Sequence, residues 1–363
     1  MDKPPTPQNA ALARPVVASQ HGPRPLPLFL DLLWRESRDD TELRRSALRG
    51  LRKYQEAARP APPPMPPIFA AAGNSRLLRF NSAASNRAPV VFVPSLINPP
   101  RVLDLSPERS LVRAMAAAGH DAYLVDWGTP LDDDKGMDLT AHVADRLAPM
   151  IAALPQPPIL VGYCLGGTLV AGAAALSPPR ALATIATPWH FDGFPEQERA
   201  DIVALWTRSQ GTCVQMGYVP MEVLQSGFWS LDPARTIRKY AAFLDMPPGS
   251  DKELAFLAVE DWANEGPPLT LAAGQQLFEQ FYGANQTGEK RWRIDGRVVD
   301  PEALACPTLS IASLTDKIVP AAASPRLAEH RELALGHVGM IVGSQAPHDV
   351  WMILSDWLST HGG

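Results

Sequence analysis

Cysteine is scarce in this chain. The three that occur, Cys164, Cys213 and Cys306, are far apart in a sequence of 363 residues. An odd, widely spaced set supports neither a disulfide framework nor a metal site, and it fits a reducing cytoplasm. Long apolar runs are also missing: no stretch of about 18 apolar residues occurs, so no transmembrane segment is expected. Met1 to Arg14 contains prolines and no apolar core of the kind a secretory signal needs. Clusters of basic residues are absent too. With 33 Lys and Arg against 38 Asp and Glu, a net charge of −5 and a pI near 5.9, the composition argues against a nucleic-acid partner. No pattern calls for a bound metal or organic cofactor.

Proline and apolar residues are plentiful, at 38 prolines and 46% hydrophobic content. A chain of this length can bury one large core, or one core plus an inserted cap. Residues 1–75 read as a proline-rich leader. Within it, Pro27 to Tyr54 has apolar residues at helical intervals, and Arg59 to Pro67 forms a stiff extended connector. From residue 76 strands and helices alternate. Strand-like runs are Leu77 to Phe80, Val90 to Val93, Ala122 to Trp127, Pro158 to Val161, Ala181 to Thr187 and Cys306 to Ala312. Ser106-Pro107-Glu108 reads as the opening of a helix, and another is expected from about Asp138 to Ala153. This alternation predicts an α/β fold, a mostly parallel sheet with helices on both faces, built from 76–187 and 292–363. The interval 188–291 is mainly helical in period and rich in Trp and Phe. An insertion of that size between strands is where a cap belongs, and its aromatic residues either line an acyl pocket or form the cap's own core.

The most informative stretch is Val161-Gly162-Tyr163-Cys164-Leu165-Gly166-Gly167, a G-x-nucleophile-x-G elbow with cysteine at the nucleophile position. It follows an apolar strand-like run and precedes the small apolar run Thr168 to Ala175, the strand, sharp turn and helix that an elbow requires. The glycines let strand and helix approach closely around a strained turn. Cys164 then stands at a helix N-terminus, where the dipole and free N–H groups favour the thiolate. A cysteine in an apolar, glycine-rich segment is otherwise a small core residue.

An α/β-hydrolase triad runs nucleophile, acid, histidine in chain order. Asp316, in the polar turn after the Cys306 to Ala312 run, lies just past a strand's C-terminal end, where catalytic groups collect in parallel sheets. His337 sits on the glycine-flanked loop Gly336-His337-Val338-Gly339 beyond the next short strand. Alone, Asp316 reads as a turn residue or helix cap, and His337 as a surface loop histidine. Together, in this order after an elbow, they form a specific combination. His120, His142, His190 and His348 are less well placed. Elbow geometry assigns the oxyanion donors to the N–H of Leu165 and one from the Leu96-Ile97 loop.

These residues resemble the poly(3-hydroxyalkanoate) synthase family. The resemblance rests on Val93-Pro94-Ser95-Leu96-Ile97-Asn98, on Val102 to Val112, and on Leu124-Val125-Asp126-Trp127-Gly128. It rests equally on the cysteine elbow, on Leu314-Thr315-Asp316-Lys317-Ile318-Val319-Pro320 and on Gly336-His337-Val338-Gly339-Met340, and it covers about residues 76 to 360. The short amino-terminal region and Asp126-Trp127-Gly128 point to the class III type. The resemblance implies an α/β-hydrolase fold and polymerisation of 3-hydroxyacyl-coenzyme A thioesters through a covalent Cys164 intermediate, with Asp316 orienting His337 or helping to activate the 3-hydroxyl. It also implies a growing polyester chain as second substrate, a second, non-catalytic subunit, a homodimer, and a cytoplasmic location at the surface of polyester granules. A thiolate suits thioester chemistry, because thiol exchange is nearly balanced in energy and leaves the acyl group activated. Two alternatives share the fold: a thioesterase or polyester hydrolase, in which water is the acceptor, and a catalytically silent granule-associated protein.

Overall fold

The computed structural model describes residues 21–81 and 87–362; the start of the proline-rich stretch lies outside them. The chain begins with two helices, α1 (Leu26–Glu36) and α2 (Thr41–Glu56). Asp40 caps α2 by accepting from the Leu43 N–H at 2.8 Å. Ala47, Gly50, Leu51 and Tyr54 fall at spacings of three and four and form its buried face.

Eight strands make the sheet: β1 (Ile68–Ala72), β2 (Ser75–Arg79), β3 (Pro89–Val93), β4 (Asp121–Asp126), β5 (Ile159–Tyr163), β6 (Ala181–Ile185), β7 (Thr308–Ser313) and β8 (Glu329–Leu333). Their order is β1-β2-β4-β3-β5-β6-β7-β8, with β2 antiparallel to both neighbours and every other pairing parallel. This is the α/β-hydrolase fold. The central strands β3, β5, β6 and β7 are buried at every residue, which is why they read as continuous apolar runs without alternation.

The sheet begins earlier than the expected boundary at residue 76, because β1 already pairs with β2 through Ala70–Leu77 and Ala72–Ser75. The helix expected at Ser106 opens instead at Ser110, as α3 (Leu111–Ala117). Ser110 Oγ accepts from the Arg113 N–H at 3.0 Å, whereas Ser106 serves a turn by accepting from the Arg109 N–H. The helix foreseen from about Asp138 runs from Leu139 to Ala152, with a wider π turn at His142–Leu147.

Between β6 and β7 the chain leaves the sheet. It builds α4 of the cap (Glu196–Met216), α5 (Met221–Leu231), α6 (Pro233–Leu244), α7 (Asp251–Ala263) and a helical stretch over 271–283 that widens into a π helix from Gln276. The two leader helices pack on this insertion rather than standing apart. Phe29, Leu32, Leu33, Leu51 and Tyr54 share one buried cluster with Trp229, Ile237, Tyr240 and Phe243. At about 1.5–3 kcal/mol for each large side chain removed from water, that contact makes the leader helices part of the folded unit. Gly50 sets the approach of α2 to α6, since a Cβ there would lie 1.8 Å from the Tyr240 carbonyl oxygen. Tyr54 Oη donates to Asp261 at 2.5 Å and Arg59 pairs with the same carboxylate at 2.9 Å, tying the connector down as well.

Candidate active site

Cys164 lies between β5 and the helix Leu165–Leu176, with φ 54° and ψ −133°. A non-glycine residue at positive φ is strained, and here the surrounding contacts hold it. The Cys164 N–H donates to the Ile185 carbonyl at 2.9 Å, and its carbonyl accepts from the Gly167 N–H at 2.9 Å. Two elbow glycines are required by space. A Cβ on Gly162 would lie 2.3 Å from Gly167 Cα, and one on Gly166 would lie 2.0 Å from the Val93 carbonyl oxygen.

Asp316 lies three residues beyond the end of β7 and His337 four beyond the end of β8, and the parallel pairing of those two strands carries both loops to the same end of the sheet. His337 Nδ1 donates to Asp316 Oδ2 at 2.6 Å. The other oxygen, Oδ1, accepts from the Ile318 and Val319 N–H groups at 2.7 and 3.1 Å. Both carboxylate oxygens are therefore engaged, and the Asp316 side chain is fully buried. Tyr163 packs its ring against His337 with centroids 5.1 Å apart.

Burial alone pulls the His337 imidazole down. The negative charges of Cys164 and Asp316, with hydrogen bonds to both, outweigh it and carry the group up to about 10. The His337 ring beside Cys164 is thus held as an imidazolium. Because the folded-state value lies above the ordinary 6.5, the stability this pair contributes is complete below about 6.5 and is lost as the pH rises through about 10. Nitrogen-15 spectra of His337 are expected to show a doubly protonated ring at pH 8, and Cys164→Ala should lower its titration by removing the facing charge. A neutral ring at pH 8 would contradict this electrostatic picture.

Of the proposed oxyanion donors, Leu165 is the first residue of the elbow helix and lines the cavity over Cys164 together with Ile97. The Ile97 N–H donates to Ser95 Oγ at 3.0 Å, so that donor is already occupied. Leu96 is buried and belongs to the apolar core. The loop carrying both is braced from two sides. Trp127 Nε1 donates to the Pro94 carbonyl at 3.0 Å, and Asn98, at φ 66°, donates to the Ala263 and Glu265 carbonyls at 3.2 and 3.0 Å. Nothing in the sequence pattern singled out Ser95 or Asn98 for these contacts.

The cap covers the elbow. A narrow cavity of about 80 Å³ reaches Cys164, with Phe191, Phe194, Phe228, Phe278 and Tyr282 among its walls. The insertion's aromatic residues therefore serve both ends: Phe191, Phe194 and Phe278 line the cavity and also belong to the buried cluster that holds Trp189 and Trp206, while Trp229 packs with the leader helices. Lys317, beside Asp316, reaches Asp232 at the start of α6 with Nζ to Oδ2 of 2.8 Å, an ion pair from the Asp316 loop to the cap. Three of the other histidines are occupied elsewhere: His190 pairs with Glu302 at 2.6 Å, His120 Nε2 meets Ser355 Oγ at 3.2 Å, and His142 Nδ1 meets the Asp138 carbonyl at 2.7 Å; His348 lies in the helical turn Pro347–Trp351. Among the described residues no group of three or more His, Cys, Asp or Glu side chains is placed to hold a metal ion, and no helix is long and apolar enough to cross a membrane.

No protein-family model matches the chain. Among solved structures, a putative aryl esterase from Burkholderia cenocepacia superposes with a TM-score of 0.48 at 13% identity, covering 80% of this chain and 98% of that one. A putative non-heme bromoperoxidase from Mycobacterium tuberculosis gives 0.47 at 16% identity, with the same coverage. Sequence relatives are more similar. The chain is 30% identical over 307 residues to the poly(3-hydroxyalkanoate) polymerase subunit PhaC of Haloferax mediterranei, a match covering 78% of this chain and 61% of that protein. It thus spans about three-fifths of that relative's length. Proteins of the same name from Thiocystis violacea and Allochromatium vinosum are 28% and 29% identical, covering 78% and 75% of this chain and 84% and 80% of their own. Three relatives of one name are thus each aligned along three-quarters or more of this sequence, and poly(3-hydroxyalkanoate) polymerase subunits are what the chain is similar to along most of its length.

Proposed function

We propose that the protein polymerises 3-hydroxyacyl-coenzyme A thioesters into a polyester through an acyl-Cys164 intermediate, releasing coenzyme A. The observation that carries this reading is a cysteine at a strained elbow, beneath an aromatic cap, beside a His337 ring that Asp316 holds at 2.6 Å. The Cys164 thiolate attacks the thioester carbonyl, and the developing oxyanion is held by the Leu165 N–H and, from the Leu96-Ile97 loop, by the Leu96 N–H, the Ile97 N–H being held by Ser95. Collapse expels the coenzyme A thiolate, which takes the proton from His337. The now neutral His337 draws the proton from an acceptor hydroxyl, the alkoxide attacks acyl-Cys164, and expulsion of the Cys164 thiolate beside the new imidazolium restores the starting state. Asp316, with both oxygens engaged, orients His337 and stabilises its charge in both halves of the cycle.

The cavity of about 80 Å³ is far below the ~300 Å³ at which small-molecule pockets begin, so admission of a thioester requires the cap to move. The apolar lining supports polymerisation over hydrolysis, because apolar walls disfavour water beside the acyl-enzyme and let it survive until a hydroxyl arrives. The names of the relatives call them polymerase subunits, which supports a second subunit. The class III type, a homodimer and a site of action at the granule surface belong to the same proposal. Incubation with 3-hydroxybutyryl-coenzyme A, with and without a candidate second subunit, is expected to yield insoluble high-mass polyester after a lag. Stoichiometric free 3-hydroxybutyrate under both conditions would overturn the reading in favour of a thioesterase.

A further inference from the structure

Most of the wall around Cys164 is apolar, and three side chains interrupt it: Lys317, Glu198 and Tyr282. Lys317 is turned to Asp232. Tyr282 and Glu198 have no hydrogen-bond or ion-pair partner among the described residues, and both face the cavity that ends at the nucleophile. The Tyr282 ring is held by its neighbours, edge-on to Phe191 at 4.8 Å and to Phe194 at 5.2 Å and stacked with Phe278 at 6.5 Å. Its phenol is therefore fixed in place while its hydroxyl goes unused. Burial pushes that phenol well above the ordinary tyrosine range, and the nearby charges of Cys164 and Glu198 push it further, so the hydroxyl remains a proton donor. Glu198, in the first turn of α4, supplies a carboxylate acceptor on the same cavity.

Both side chains are half-buried, and Tyr282 also borders the open groove beside Glu196 and Arg199, so water can meet them until a ligand that matches both groups displaces it. The catalytic groups meet neither of them: Asp316 is fully engaged and His337 Nδ1 is held by it. A 3-hydroxyacyl unit differs from a plain acyl unit by one group, a hydroxyl that both donates and accepts. One donor and one acceptor on the cavity wall complement it, the Tyr282 hydroxyl donating to its oxygen and the Glu198 carboxylate accepting its proton. We propose that Tyr282 and Glu198 form the receptor for the 3-hydroxyl of the incoming acyl unit, and so set the preference for 3-hydroxyacyl over unsubstituted acyl thioesters. This inference rests on the acyltransferase reading above. It follows the general asymmetry of polar recognition, in which a site built to bond a hydroxyl rejects the analogue that lacks it by leaving its own groups unpaired.

The test compares single-turnover coenzyme A release from 3-hydroxybutyryl-coenzyme A and butyryl-coenzyme A by the full chain and by the Tyr282→Phe and Glu198→Gln variants. Phenylalanine retains the ring contacts, and glutamine retains the length of the side chain while removing its charge. The ratio of kcat/KM for the hydroxylated over the plain thioester is expected to favour the former in the parent protein and to fall about tenfold in Tyr282→Phe, with a fall of the same direction in Glu198→Gln. An unchanged ratio in both variants, including one in which both thioesters slow equally, would overturn the receptor and leave the acyltransferase reading standing. Failure of the parent protein to release coenzyme A from either thioester would overturn both.

Discussion

Cys164→Ala is expected to lose coenzyme A release by a factor on the order of 10⁵ to 10⁶, the scale seen when an activated nucleophile is removed from a triad. The fold should persist. Cys164 bridges nothing, its contacts to Ile185 and Gly167 are made by the backbone, and alanine bears its positive φ no worse than cysteine does. Circular dichroism and thermal unfolding verify the fold, and release of free thiol measures turnover. The other cysteines serve as controls. Cys213 is buried in the cap helix α4, and Cys306 is half-buried just before β7; alanine at Cys306 should leave turnover within a few-fold of the parent. Activity of Cys164→Ala within a few-fold of the parent would remove the elbow from the chemistry altogether.

The second large effect concerns the pair behind the nucleophile. His337→Ala should prevent acylation, since it removes the cation facing the thiolate and the acid that protonates the leaving thiol. Asp316→Asn is expected to cost about 10⁴-fold, because an amide at this position presents a donor either to His337 Nδ1–H or to the Ile318 and Val319 N–H groups, all of which need an acceptor. The loss should be equal in acylation and in transfer, as both steps use the same oriented imidazole. Rapid quench followed by mass spectrometry of the intact protein separates the two steps. Accumulation of acyl-enzyme in Asp316→Asn would instead assign the carboxylate to the acceptor hydroxyl.

The positions of the candidate triad could be named in advance because each depends on local pattern. The G-x-C-x-G-G spacing marks the turn directly, Gly162 being required by Gly167 within the same strand–turn–helix unit, and Asp316 follows a strand whose apolar composition marks its end. Ser106-Pro107-Glu108 and Ser110 both carry capping residues, so local sequence alone does not separate the two possible starts of α3. The choice fell to Ser110, whose hydroxyl meets the Arg113 N–H while Arg113 pairs with Asp104 at 2.6 Å. The start of the sheet was placed too late because β1 is a short edge strand, exposed at Ile68 and Phe69, with no continuous apolar run to mark it.

By itself the sequence determined the alternation of strands and helices, the elbow, and the chemistry its cysteine can perform, since these follow from residue type and spacing over a few turns of chain. Tertiary structure alone decided that the leader helices pack on the cap, where Tyr54 and Asp261 meet across more than two hundred residues of sequence. It also decided that both Asp316 oxygens are engaged, that Ser95 holds the Ile97 N–H, and that Tyr282 and Glu198 line the cavity that reaches Cys164 with no hydrogen-bond or ion-pair partner among the described residues. The physical reason is the same in each case: burial and hydrogen-bond pairing are properties of neighbours in space, and most of these neighbours come from segments that no local period or motif connects.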